Sequence, residues 1–296
     1  MSEEPDLATD TKKGAQALIG FVSTEVQLLI AGDPFIRQTN IDRVCKLHPV
    51  YASIIEDTIS LTLLARDYRI NNSYIIVRAL LERLVNFCYL QFCEQSEFDS
   101  YLTYSKSKAV RRLDRTIEGG SSQASVRWSG VVDWASHPDL KAAYDKFTSI
   151  NGREITRWTK VSLPDRAGLV ESNTPRASLL LPLLMIYSDA SEALHGTLYG
   201  SLFHLGTYDI GTVPYDQASL LKTTFSHSSA LALMAGGAVN TLMRMCAMIR
   251  VPSFDDLAKQ STENLRSVST AVGLLPMRKS NSPSNRDAPT SGESVS

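Results

Sequence analysis

A set of polar residues stands out in and just after the stretch Tyr187-Ser-Asp-Ala-Ser-Glu-Ala-Leu-His-Gly196: Ser188, Ser191, Glu192, His195 and Tyr199. On a helix turning by about 100° per residue, they fall within roughly 100° of arc. A histidine on such a face, with an ordinary pKa near ~6.5, suits proton transfer or hydrogen-bond donation. The opposite arc, with Leu183, Ile186, Ala190, Ala193, Leu194 and Thr197, supplies a core side without the stripe. The competing reading is a solvated face on which His195 is merely exposed.

Three chemistries can be set against this stripe. Glu192-Ala-Leu-His195 has the Glu-x-x-His spacing by which one helix gives two ligands to a bundle di-metal centre, but it occurs once, and such a centre takes a second pair and two further carboxylates. Serine hydrolysis would need a nucleophile elbow, and the chain has no Gly-x-Ser-x-Gly. Metal-independent RNA cleavage pairs an imidazole with a phosphate-binding guanidinium. Arg43 and His48 have the Arg-x4-His spacing of a helical nuclease superfamily, although Pro49 marks a helix start where that signature needs a helix interior. Arg78 and His195, on different helices, would serve the same physics. No metal or other cofactor is called for.

Arg78 and Glu82 are four residues apart and share a helix face, with Asn86 one turn further, while Arg83, Gln91 and Glu94 take a roughly opposite arc. One of these two polar faces has to be buried or line a cavity, where an arginine needs a carboxylate or phosphate partner. The plain alternative is an intrahelical ion pair that braces a bundle. A third set, Tyr101, Tyr104, Lys108, Arg111, Arg112 and Arg115, falls on one face of an expected helix, with Phe98, Leu102, Ala109, Leu113 and Ile117 on the other. Interleaved tyrosines and basic groups can stack bases and hold phosphates, although any surface helix shows a charged side.

The elements that position these groups are helical. Apolar residues recur at three- and four-residue spacing from Ala15 to Ile30, and Gly32-Asp33-Pro34 is expected to stop that helix. A second helix is expected from about His48 to Tyr68, a third from Tyr74 to Glu94 after an Asn71-Asn72-Ser73 turn and cap, and a fourth from Glu97 to Ile117, ended by Gly119-Gly120. Residues 118–177 form a loop-rich segment with short helices packed by tryptophans. Helices return near Ser178, and Asp216 caps a long one ending near Arg250. No alternating strand pattern of useful length appears. The fold class is therefore all-α, a single multi-helix bundle-like domain over 13–275 with a disordered N-terminus (1–12) and a disordered tail (276–296).

Composition limits the classes of function. The 296 residues are 43% hydrophobic and carry 30 Lys and Arg against 31 Asp and Glu, so bulk charge gives no argument for nucleic acid or an anionic membrane. The four cysteines show no Cys-x-x-Cys pairing, and the acidic, polar start lacks a secretory pattern, which together point to the cytoplasm. Residues 74–93 and 231–249 are apolar but interrupted by charges, Asn or Gly-Gly, so both read as core helices rather than membrane spans.

Arg78-x3-Glu82, Tyr101-Leu102, Arg157-Trp158, Arg166-Ala167 and Tyr187-x3-Ser191-x3-His195-Gly196 together resemble an uncharacterised bacterial all-helical family of unknown function, over roughly residues 50 to 205. The resemblance implies no activity, but it implies one cluster: Arg78 and Glu82 facing Tyr187, Ser191 and His195 across a cleft. The expectation is a cleft for RNA or another phosphate-bearing ligand, with RNA cleavage in stress or phage defence as its catalytic form and with Lys108, Arg111, Arg112, Arg115 and Tyr104 as a nucleic-acid face. The alternative is a non-catalytic interaction module with a structural polar cluster. Enzymatic activity stays open, and a homo-oligomer is compatible with either.

Overall fold

The computed structural model describes residues 7–128, 130, 133–213 and 216–271, with backbone alone for 7–18 and 271. The expected tail, 276–296, and residues 1–6 lie outside the described residues. The chain opens with α1 (Leu7–Gln38), so residues 7–12 are helical, followed by the short α2 (Asp42–Lys46), α3 (His48–Arg66) and α4 (Ile70–Phe92). Gly32 and Pro34 do not stop α1. A Cβ on Gly32 would stand 2.5 Å from the Tyr51 hydroxyl and 2.8 Å from the Phe254 ring, so this glycine permits close packing inside a continuing helix.

Asn71, Asn72 and Ser73 likewise lie inside α4, where the Ser73 hydroxyl bonds the Arg69 carbonyl instead of capping. α4 is the central element. Val77, Leu80, Leu81, Leu84, Val85, Phe87 and Cys88 are all fully buried, because α3, α7, α9 and α11 pack around them. Beside these contacts Arg78, Glu82 and Asn86 form a half-buried polar strip, while Arg83, on another side of α4, pairs with Asp57 of α3.

α5 (Gln95–Arg111) ends six residues before the expected Ile117, and an antiparallel hairpin follows, β1 (Asp114–Gly119) with β2 (Ser122–Arg127). Gly120, at φ +60°, and Ser121 make its two-residue turn, so the glycines punctuate a hairpin rather than a helix end. The absence of strands was therefore overstated, while the helical class stands. The helix reading took Leu113 and Ile117 as one face. In the hairpin Ile117 pairs with Ala124, and Asp114 stands across from Arg127.

Beyond it lie α6 (Pro138–Lys146), a loop pinned by a Thr148–Glu154 bridge, and α7 (Leu163–Asn173), which the Ser162 side chain caps. α8 (Leu180–Pro182) runs into a π-helical turn, Leu183–Tyr187, and then α9 (Ser188–His195). Gly196, at φ +66°, ends α9 in a left-handed cap. Tyr199 therefore belongs to the separate α10 (Leu198–Leu202) and leaves the stripe, its hydroxyl donating to Asp189.

α11 (Gln217–Met248), capped by Asp216 as expected, and α12 (Phe254–Ala271) complete the domain against α1. A polar network joins them. Asn240 Nδ2 donates to Ser261 and Thr262, Asn240 Oδ1 accepts from Arg244, and Glu25 accepts from Ser261 and Asn264, all within 3.1 Å. Glu25 is 1% exposed, and burial pushes its carboxyl up to about 7. Two stretches, Ile19–Gln38 and Gln217–Met248, are long and apolar enough to cross a membrane, the second with 72% of its apolar window buried within the protein. Core helices pass the same test of length and composition.

Candidate functional site

Arg78, on the polar strip of α4, reaches over a hundred residues along the chain to the π turn and α9. Its Nη1 donates to Ser191 Oγ at 2.7 Å, its Nη2 to the Tyr187 hydroxyl at 3.3 Å, and its Nε lies 3.4 Å from Glu82 Oε1. The guanidinium also sits over the Tyr187 ring, 4.6 Å from its centroid. Tyr187 closes the circle by donating to Glu82 Oε1 at 2.8 Å. Burial, and then the Glu82 carboxylate, hold the Tyr187 hydroxyl above the usual phenol range. A π turn carries an extra residue and recurs at functional sites; here it brings Tyr187 to this junction.

Four of the five expected cluster residues thus meet. His195 is the exception: it ends α9, is exposed, and among the described residues forms no hydrogen bond or ion pair. Four-residue steps advance about 40° beyond a full turn, so two of them carry His195 roughly 80° round from Tyr187. The other histidine pairing also separates. Arg43 donates to the Leu90 and Cys93 carbonyls and to Gln95, whereas His48 Nε2 meets Asp33 Oδ1 at 2.8 Å. Arg43 thus ties α2 to α4 and α5, and His48 ties α3 to α1.

The expected nucleic-acid face is not one open stripe. Tyr104 donates to the Thr156 carbonyl, Lys108 pairs with Glu154, and Arg111 bonds Phe147 and Thr148 while lying over the Tyr144 ring. The 144–156 segment therefore covers these three. Arg112 follows the end of α5 and Arg115 stands in β1, both exposed. Periodicity extended past Arg111 had placed Arg115 on a helix that does not continue.

Beside the Arg78 junction opens a cavity of about 430 Å³ that sequence reasoning did not assemble. Glu82, Asn86 and Tyr187 form one wall, Arg166 of α7 another, and the Thr156–Ser162 loop brings Arg157, Trp158 and Lys160. Arg166 is half-buried, bonded to the Asn86 side-chain oxygen and the Ser162 carbonyl, with Trp158 beneath it at 5.3 Å. Burial lowers its pKa from the usual guanidinium value. Arg157 and Lys160 are exposed and without an ion pair among the described residues. Three cations thus line the cavity against one carboxylate, Glu82. The sequence signal was available in part, since Asn86 continues the Arg78–Glu82 face.

Among the described residues, no group of three or more His, Cys, Asp or Glu is arranged to hold a metal. Two imidazoles lie around Phe203: His227 Nδ1 meets the Tyr74 hydroxyl at 2.8 Å, and burial holds both His204 and His227 below the usual imidazole range.

The geometry defines a class, a helical protein with a braced Arg–Glu–Tyr–Ser junction beside a basic cavity. Residues 47–212 match the family of unknown function DUF5677, and the chain belongs to that family. The match spans more than half of the chain and holds α3, α4, the π turn, α7 and α9. The membership expected from residues 50 to 205 is borne out. No curated protein and no solved structure matches the chain.

Proposed function

We propose that this protein binds an anionic, phosphate-bearing ligand in the cavity between α4, α7 and the Thr156–Ser162 loop, with Arg166 gripping the anion and Lys160 and Arg157 attracting it. The observation that carries the reading is Arg166 itself. A half-buried guanidinium whose hydrogen-bond partners are a neutral amide and a carbonyl gains most from a carboxylate or phosphate at its free edge. Arg78 has a different part: Glu82, Ser191 and Tyr187 already occupy it, so it is a positioning residue that holds Tyr187 and Glu82 at the cavity wall.

Binding is the proposed activity. Cleavage of RNA, in stress or phage defence, is an extension of it in which Glu82 and Tyr187, rather than the exposed His195, are the proton-handling groups at the cavity wall. Cytoplasmic residence belongs to the same proposal, supported by four free cysteines, one of them exposed. The alternative of a purely structural cluster is favoured by the saturated Arg78 and fits the brace and the Arg166–Asn86 bond between α7 and α4, but it gives no role to the exposed Lys160 and Arg157 at the cavity.

Thermal unfolding with ethyl phosphate or pyrophosphate at low salt tests the reading, because a ligand that binds only the folded chain raises its stability. Wild type should be stabilised, and Arg166→Ala should lose that gain while folding normally. No stabilisation of wild type by either anion would overturn the proposal. A short oligoribonucleotide run beside them, cleaved by wild type and spared by Arg166→Ala, would name RNA as the ligand.

A further inference from the structure

A second cavity, of about 540 Å³, shares a partition with the first. Leu163 and Tyr187 belong to both walls, but the far side is built of Pro164, Leu180, Leu181 and Leu184, so every lining residue except Tyr187 is apolar. Leu184 is 77% exposed, Leu181 44% and Leu180 40%. Leucines left in water together cost free energy, and such a patch marks a binding surface. Both volumes lie in the range of small-molecule sites.

The two cavities differ in chemistry but meet at one tyrosine. The cationic one offers Arg166 and Lys160 to an anion, whereas the apolar one offers no charge and nothing for a polar group to bond. The π turn joins them, since it places Leu184 in the trough and Tyr187, one turn on, at the partition. We infer that the ligand is amphipathic: a phosphate head held by Arg166 and Lys160, with a hydrocarbon tail passing the Tyr187 ring and lying on Leu181 and Leu184. This rests on the anion-binding reading of the cationic cavity and adds the class of molecule it takes. The occupant is a single amphiphile, because the leucine-lined cavity and the anion site adjoin, with Leu163 and Tyr187 in both walls.

Calorimetric titration with ethyl phosphate and octyl phosphate, the latter below its micellar concentration, separates head from tail. Each methylene taken out of water contributes about fourfold in affinity, so octyl phosphate should bind at least about tenfold more tightly than ethyl phosphate. The double substitution Leu181→Gln and Leu184→Gln, at positions exposed enough to tolerate it, should bring octyl phosphate down to the ethyl phosphate affinity and leave the latter unchanged. Equal affinities for the two esters in wild type would overturn the tail while leaving the head intact, and so would a gain that survives the double substitution. No binding of either ester would instead sink the anion reading beneath it. A dimer dissolved by the double substitution, or binding to phosphatidylcholine vesicles containing phosphatidic acid, without any octyl gain, would give the leucines to a second copy or to a membrane surface and overturn the inference.

Discussion

Two polar networks in this protein are built from similar side chains and end differently. At the α1–α11–α12 junction Glu25, Asn240, Arg244, Ser261, Thr262 and Asn264 satisfy one another. At the α4–α9 junction Arg78, Glu82, Tyr187 and Ser191 do the same among themselves, but the neighbouring Arg166 faces a cavity beside Arg157 and Lys160, which have no ion pair among the described residues. The first is a register device whose buried members, Glu25, Asn240 and Ser261, are shut from water, while Arg244 and Thr262 edge a cavity of about 490 Å³ that Asp255 and Glu263 also line. The second is a brace with an unfinished edge, and the unfinished edge, rather than the number of polar groups, is what the binding proposal rests on.

The contrast can be broken most strongly at the first network. Asn240→Ala leaves Ser261 and Arg244 short of partners in the interior and should cost about 2–3 kcal/mol in urea unfolding, with anion binding unchanged. A cost below about 0.5 kcal/mol would mean that this network is no more closed than the other.

Its pH dependence comes next. Because the folded Glu25 carboxyl titrates at about 7 against 4.5 as its ordinary value, the folded chain keeps a proton there that the unfolded chain has released. That contribution is fully present below the unfolded value and is lost as pH rises through about 7. Glu25→Gln, neutral throughout, should remove roughly 2 kcal/mol of the fall in stability between about pH 5 and about pH 8. An undiminished fall in the variant would place the titration elsewhere.

Arg78→Ala removes the brace and should cost about 1–2 kcal/mol, since its partners are half open to water. Arg166→Ala sharpens the difference: we expect less than about 1 kcal/mol in stability, yet loss of anion-induced stabilisation. If its stability cost matched that of Arg78→Ala while the anion still bound, the two arginines would belong to one structural unit. His195→Ala has the smallest expected effect, within about 0.5 kcal/mol and with no change in anion affinity. A tenfold loss of affinity there would return the histidine to the site.

Much of the fold was legible locally. The 3.6-residue periodicity of α3, α4 and α11, the Asp216 cap and the Arg78–Glu82–Asn86 face are properties of short windows. Errors arose where a local signal had two meanings. Gly32-Asp33-Pro34 reads as a stop, but tertiary packing against Tyr51 and Phe254 carries α1 through it. Leu113 and Ile117 read as helix spacing, but Gly120-Ser121 folds that stretch into a hairpin.

The sequence by itself therefore determined a mostly helical chain, the neighbours along each helix face, and membership of its family. Only the tertiary structure decided which faces converge: Tyr187 and Ser191 meet Arg78 while His195 turns away, and Arg166 and Lys160 come from a loop and helix that no period connects to α4. The reason is geometric. Spacing along one helix sets angles about its own axis, whereas a site shared by α4, α7 and the π turn depends on how separate helices are packed and rotated against one another.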